Sequence, residues 1–191
     1  MRNTNKQNTA KYSFVVIAVI CVIFVGSLSA ESLSQQSPTH FFANQPKRDT
    51  VADFKLENVA GGFMTSEDLK GKVAVVDLWA TWCALCIYEI PIYKRLHDSF
   101  QGQDVAIVGI AVDSPRRDIP SKIRQLGIEY PILISDDQLM AFGRIQVFPT
   151  TVVISKEGKI YSRYIGTVPQ KEEKIKRDIE RLLAADDGTN H

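Results

Sequence analysis

The sequence predicts an α/β fold: a mixed, mainly parallel central sheet flanked by helices, with an N-terminal extension. Three observations carry that prediction. Apolar runs alternate with amphipathic ones over the last two thirds of the chain, the pattern of strands feeding helices. Two of the runs, KVAVVDLWA (72–80) and DVAIVGIAV (104–112), are nearly continuous in apolar residues, as strands buried on both faces are. EGK at 157–159 reads as a tight turn, so the final two strands form an antiparallel hairpin at one edge.

Taken in order, the chain opens with Arg2, Lys6 and Lys11 and no acidic residue, then an unbroken apolar run, Phe14 to Val25, followed by the small residues GSLSA. This is the form of an export signal. Its apolar stretch, extended from Tyr12 to Leu28, approaches the roughly 20 residues of a spanning helix, so residues 1–30 are expected to be a signal peptide or a membrane anchor. The positive flank keeps that end inside and places the rest outside the cytoplasm, in the periplasm or at the outer face of the cytoplasmic membrane. Cys21 follows bulky Ile20, which favours a small apolar residue of the segment over a lipidated one. Residues 31–50, rich in Ser, Gln and Pro without apolar periodicity, read as a tether, and 51–186 as one domain with a core of its own. The whole chain holds 23 basic and 22 acidic residues; without the first thirty it holds 20 and 22, a balance that recommends no nucleic-acid partner.

Within the domain PTTVVIS (149–155) and KIYSRYIG (159–166) complete the strand set, with YPILIS (130–135) as a weaker fifth. Helical spacing runs over Ala84 to Phe100, Ile119 to Leu126 and a short Asp137 to Phe142 segment. The last helix has the clearest signals: Thr167 and Gln170 as a capping box, Pro169 in the first turn, and a stripe of Ile175, Ile179, Leu182 and Leu183.

WATWCALCIYEIP, Trp79 to Pro91, then places two thiols at the carboxyl end of the first buried strand and the start of the next helix, where open α/β sheets put their ligand sites. Free N–H groups and the helix dipole there stabilise a thiolate at Cys83, and Cys86, one turn on, can reach its sulfur. A reversible disulfide suits so small a ring. Against it stand a zinc half-site, which lacks further ligands because His40, His97 and His191 are scattered; two inert buried cysteines; and a static staple, whose short loop restrains the unfolded chain little. Asp77 is out of place in an apolar strand, and is either a functional buried carboxyl, a solvated strand-end residue or the partner of a lysine such as Lys72. Glu89, three residues past Cys86, lies on the same helical face, and is either near the disulfide or an exposed first-turn acid. Trp79 and Trp82 are expected around the site, His97 at the surface, and Arg116 and Arg117 in a solvated turn.

DLWATWCALC with EIP after it, then FPTTVVISKEGKI and a charged final helix, resembles the thioredoxin-like family over roughly residues 45–185, and within it the exported, often membrane-tethered thiol-disulfide oxidoreductases that act in cytochrome c maturation. The resemblance implies Cys83 as nucleophile and Cys86 as resolving thiol. It implies Pro149, after Phe148, as a cis proline against the cysteines, with Val147 and Phe148 presenting backbone to a peptide, where the bland reading is a trans proline opening a strand. It implies Glu89 and Asp77 in proton transfer; Trp82, partly exposed, is expected to shape the docking surface, with core packing alone as its bland reading. Leu85 departs from the pattern, since many relatives have proline there. No metal or organic cofactor is expected. The implied partners are a disulfide-containing protein such as apocytochrome c and an electron-donating thiol-disulfide partner, which can be a membrane protein. Reduction of the partner is the expected direction. The rivals are a disulfide oxidase or isomerase, a thiol peroxidase (which usually has threonine where this chain has Ala80) and a non-catalytic peptide-binding module.

Overall fold

The computed structural model describes residues 50–135, 141–143 and 145–187. The expected signal or anchor, nearly all of the tether, and most of the Asp137 to Phe142 helix lie outside the described residues. Among the described residues no helix is long and apolar enough to cross a membrane.

Seven strands form one sheet: β1 (Lys55–Asn58), β2 (Phe63–Thr65), β3 (Val73–Trp79), β4 (Val105–Ala111), β5 (Ile132–Ile134), β6 (Thr150–Ile154) and β7 (Ile160–Ile165), in the spatial order β2-β1-β5-β4-β3-β6-β7. Among the described residues three α-helices, α1 (Ala84–Ser99), α2 (Ile119–Leu126) and α3 (Lys171–Asp187), join or follow them. Every residue of β3 is buried, which is why its sequence is almost wholly apolar.

The sheet is mixed, but it is not mainly parallel. Only β3 with β4 and β4 with β5 run parallel; β1 with β2, β1 with β5, β3 with β6 and β6 with β7 are antiparallel. Strand and helix alternation forces parallel pairing only where a helix crosses over, as α1 and α2 do. The expected 157–159 turn makes β6 and β7 a hairpin, with Gly158 at φ 77°. A second hairpin, β1 with β2, was not expected. Gly61 and Gly62 turn it at φ 107° and 76°, values that L side chains rarely adopt.

One face of the sheet, with Val73, Val75, Trp79, Ile107 and Ala111, packs against Ile90, Tyr93 and Leu96 of α1, Ile119 of α2 and Ile175 and Ile179 of α3. The other face, with Val76, Leu78, Val108, Ile110, Val152 and Ile154, is covered by Phe54, Leu69 and Phe142. Phe54 and Phe142 stack there with ring centroids 5.3 Å apart.

The final helix begins later than expected. Thr167 and Pro169 precede it, and Gln170 at φ 53° has a backbone that no helical position accepts, so Thr167 and Gln170 form no capping box. Gln170 instead supplies the first carbonyl of the helix, accepting from Lys174 N at 3.1 Å. Lys171 thereby becomes the first helical residue.

Candidate active site

The turn between β3 and α1 is held from several sides. Cys83 N donates to Ala80 O at 3.1 Å, Thr81 N to Ser114 Oγ at 3.0 Å, and the Trp82 indole to Asp113 O at 2.7 Å. Asp113, at φ 43°, and Ser114 come from the turn after β4, which the sequence suggested only as solvated charge. They position the site without belonging to its chemistry.

Cys83 is the N-cap of α1, and its sulfur accepts the Cys86 N–H at 3.2 Å. The two sulfurs are bonded at 2.15 Å, with Cα atoms 5.3 Å apart. Cys83 keeps 8% of its surface exposed while Cys86 keeps none, so an attacking thiolate can reach only the first. Around Cys83 lies an apolar rim of exposed Trp82, Leu85 and Tyr88. Phe148 meets Trp82 edge-on, with ring centroids 6.2 Å apart. The Phe148–Pro149 peptide bond is cis. Pro149 enters β6, whose Thr150 and Thr151 stand opposite Leu78 and Asp77.

Behind the helical turn lies a buried polar group. Asp77 is fully buried, so neither the solvated strand end nor the pair with Lys72 holds. Among the described residues neither of its carboxyl oxygens has a hydrogen-bond partner, and the same is true of Trp79 Nε1 and Tyr130 Oη. Burial pushes the Asp77 pKa up to about 8, Lys171 and then Tyr93 oppose the rise, and Glu89 adds to it. Tyr93 Oη is engaged with Thr151 Oγ1 at 2.7 Å and stands close enough to Asp77 to favour its ionised form. Burial and the proximity of Asp77 raise the pKa of Tyr93, and they raise that of Tyr130 too.

Gly109 stands opposite Asp77 on β4. A Cβ there would lie 2.5 Å from Ile132 Cδ1 and 3.2 Å from both Trp79 Nε1 and Tyr130 Cε2, so any side chain larger than glycine's makes Ile132 shift and crowds the two rings.

Glu89 is buried, not an exposed first-turn acid. Its Oε2 accepts from Lys171 Nζ at 2.5 Å, the two side chains being 2% and 1% exposed. Lys171 Nζ also donates to Gly166 O at 2.9 Å. Lys171, Tyr93 and Tyr130 are the members of this group that sequence reasoning missed. Lys171 gave no signal, because it opens the charged run KEEKIKR, which reads as a solvated face.

The AhpC/TSA family profile matches residues 48–163. The thiol-disulfide oxidoreductase ResA of Geobacillus thermodenitrificans is 32% identical over 135 residues, covering 70% of this chain and 76% of that protein. The thioredoxin-like protein YneN of Bacillus subtilis is 27% identical over 131 residues, covering 67% and 76%. Among solved structures, a thiol:disulfide interchange protein of the thioredoxin family from Chlorobium tepidum superposes with a TM-score of 0.64 at 28% identity, covering 71% of this chain and 97% of that one. The matched span runs through β3 and α1, which carry Asp77 and the disulfide, and through the cis Pro149 that leads into β6, and the chain belongs to the AhpC/TSA family, among its thioredoxin-like thiol-disulfide oxidoreductases.

Proposed function

We propose that residues 51–186 form a catalytic domain held outside the cytoplasm by an N-terminal signal or anchor and a tether, and that it reduces disulfides in protein substrates, apocytochrome c among the candidates, with electrons from a second thiol-disulfide protein. The observation that supports this best is a disulfide whose first cysteine keeps a small part of its surface open to solvent while the second keeps none, backed by a buried carboxyl with no hydrogen-bond partner.

The cycle balances with one internal proton. A donor thiolate attacks Cys83 Sγ, the Cys83–Cys86 bond breaks, and the departing Cys86 thiolate takes the proton of Asp77, a carboxyl neutral at pH 7. The donor's second thiol loses its proton to solvent, closes the donor's own disulfide and releases Cys83 as a thiolate, favoured by the free N–H groups and dipole at the start of α1. That thiolate attacks the substrate disulfide and forms a mixed disulfide. Cys86 returns its proton to Asp77, attacks Cys83 and frees the second substrate sulfur, so two electrons pass from donor to substrate. Trp82, Leu85, Tyr88 and Phe148 offer an uncharged rim to the residues flanking the substrate cysteine, and the entry to β6 at Pro149 lies beside it.

Reduction is favoured over oxidation because Asp77, once it has given its proton to Cys86, is a buried negative charge that opposes the thiolate an oxidant must stabilise. An insulin-reduction assay with Cys83→Ser as control tests the activity, and titration against a glutathione or dithiothreitol couple tests the direction. A potential around −270 mV is expected, and a value above about −180 mV would make the domain a disulfide donor. Peroxide consumption exceeding insulin reduction would favour the peroxidase, and a wild-type chain that reduces no insulin yet binds peptide as well as Cys83→Ser does would leave only a binding module.

A further inference from the structure

Lys171 opens α3 with its ammonium at the helix N-terminus, the end that a cation ordinarily avoids. The residues after it, Glu172 and Glu173, are of the type that position prefers. Yet Lys171 is the one whose side chain is buried, and it is so because Glu89 and the Gly166 carbonyl receive it. Its surroundings hold a second carboxyl. Asp77 reaches the cluster from β3 and Thr151 from β6; Glu89 and Tyr93 come from α1, and Tyr130 from the turn before β5. Two buried carboxyls thus share one buried ammonium, and only one of them is in contact with it.

We propose that Lys171 is a positioning residue that divides the labour of the two carboxyls: it commits Glu89 to a permanent ion pair and leaves Asp77 as the group that exchanges a proton with Cys86. Glu89 then acts on Asp77 by its charge alone, and the contact between Lys171 and Glu89 fixes how much positive potential is left over for Asp77. Removing the ammonium strips Asp77 of the strongest influence that favours its ionised form, whereas removing the Glu89 charge frees the ammonium to act on Asp77 undivided. The two substitutions therefore move Asp77 in opposite directions. This assignment rests on the thiol-disulfide reading of the site and is tested separately from it.

The experiment uses the full chain with Lys171→Met, Lys171→Arg, Glu89→Gln and the double variant Glu89→Gln/Lys171→Met, in which neither charge is left buried alone. Carboxyl ¹³C NMR of the oxidised chain follows the Asp77 midpoint, and stopped-flow mixing of the reduced chain with oxidised glutathione follows the Cys86 step from pH 6 to 10. Lys171→Met is expected to raise the midpoint, and with it the alkaline displacement of the Cys86 step, by about one pH unit or more. Lys171→Arg is expected to restore both, and Glu89→Gln to lower them. The double variant is expected to fall between the two single ones. Midpoints that do not move, or that move the same way for Lys171→Met and Glu89→Gln, overturn the proposal. Should Lys171→Met not fold, the sign of Glu89→Gln and the position of the double variant against it decide the matter. A reduced wild-type chain that does not exchange with glutathione overturns the thiol-disulfide reading instead, and the NMR titration still decides the role of Lys171.

Discussion

Replacing Asp77 by asparagine keeps the shape of a fully buried side chain and removes its proton equilibrium. In the folded oxidised protein the carboxyl titrates at about 8 because burial penalises the charge, against 3.8 for the same group in water. The folded state therefore binds more protons than the unfolded one between those values. Stability must then fall as the pH rises from 4 to 8, and level off above. At about 1.36 kcal/mol per pH unit the penalty reaches about 4 kcal/mol at pH 7 and about 6 kcal/mol above pH 8, as ceilings. Asparagine escapes this penalty but brings a second N–H that the pocket does not satisfy, at about 1–3 kcal/mol. The two stability curves are thus expected to cross: Asp77→Asn is the less stable protein near pH 4.5 and the more stable one at pH 8. Urea unfolding of both oxidised proteins at pH 4.5, 6, 7 and 8 measures the difference directly. Parallel curves, or a wild-type stability that is flat from pH 5 to 8, would show that Asp77 is ionised and solvated in the fold, and would remove the proton source from the cycle above.

Three further outcomes follow from the same geometry. In the reduced protein Cys83 should be alkylated before Cys86 by iodoacetamide at neutral pH, since only Cys83 reaches the surface; peptide mapping that finds Cys86 modified first reverses the roles. Cys86→Ser should accumulate mixed disulfides at Cys83, visible on non-reducing gels and dissolved by dithiothreitol, and a chain that forms none in its own compartment lacks the exchange step. Gly109→Ala should destabilise the protein by about 1–3 kcal/mol and shift the Trp79 emission, because the new methyl meets Ile132, Trp79 and Tyr130 in a closed space; an unchanged urea midpoint would show that Ile132 swings clear.

What could be read in advance depended on the kind of signal each residue carries. β3 and β4 declared themselves by unbroken apolar runs, and α2 falls where its periodicity put it, from Ile119 to Leu126. The β1 and β2 hairpin did not, because KLEN and FMT are too short to show alternation and β1 joins the sheet only through β5, far along the chain. The proportion of parallel pairing was overstated because β1 with β2, β1 with β5 and β3 with β6 are antiparallel neighbours that local pattern does not reveal, whereas the β6 and β7 hairpin was marked by its turn. The start of α3 was misplaced because a Thr-x-x-Gln spacing carries no mark of the left-handed backbone that Gln170 adopts. At the site, Asp77 stood out as a carboxylate among valines and the thiols by their spacing. Lys171 could not, because the depth of a lysine is decided by the partner waiting for it, and Glu89 lies 82 residues away in sequence.

That long separation bears on the order in which the site comes into being. Both thiols, β3 and α1 are already present in a chain that has emerged as far as β7, while the cation that Glu89 faces arrives only with the last helix. When α3 docks, it brings Lys171 to Glu89 and, one residue on, Glu172 to Arg95 through a forked pair at 2.5–3.0 Å. Adjacent residues of opposite sign thus meet opposite signs on one helix, and a slip by a single residue would set like against like. The C-terminal helix works as a keyed closure: the cysteines acquire their finished electrostatic surroundings only when the final segment of the chain has locked in the right register.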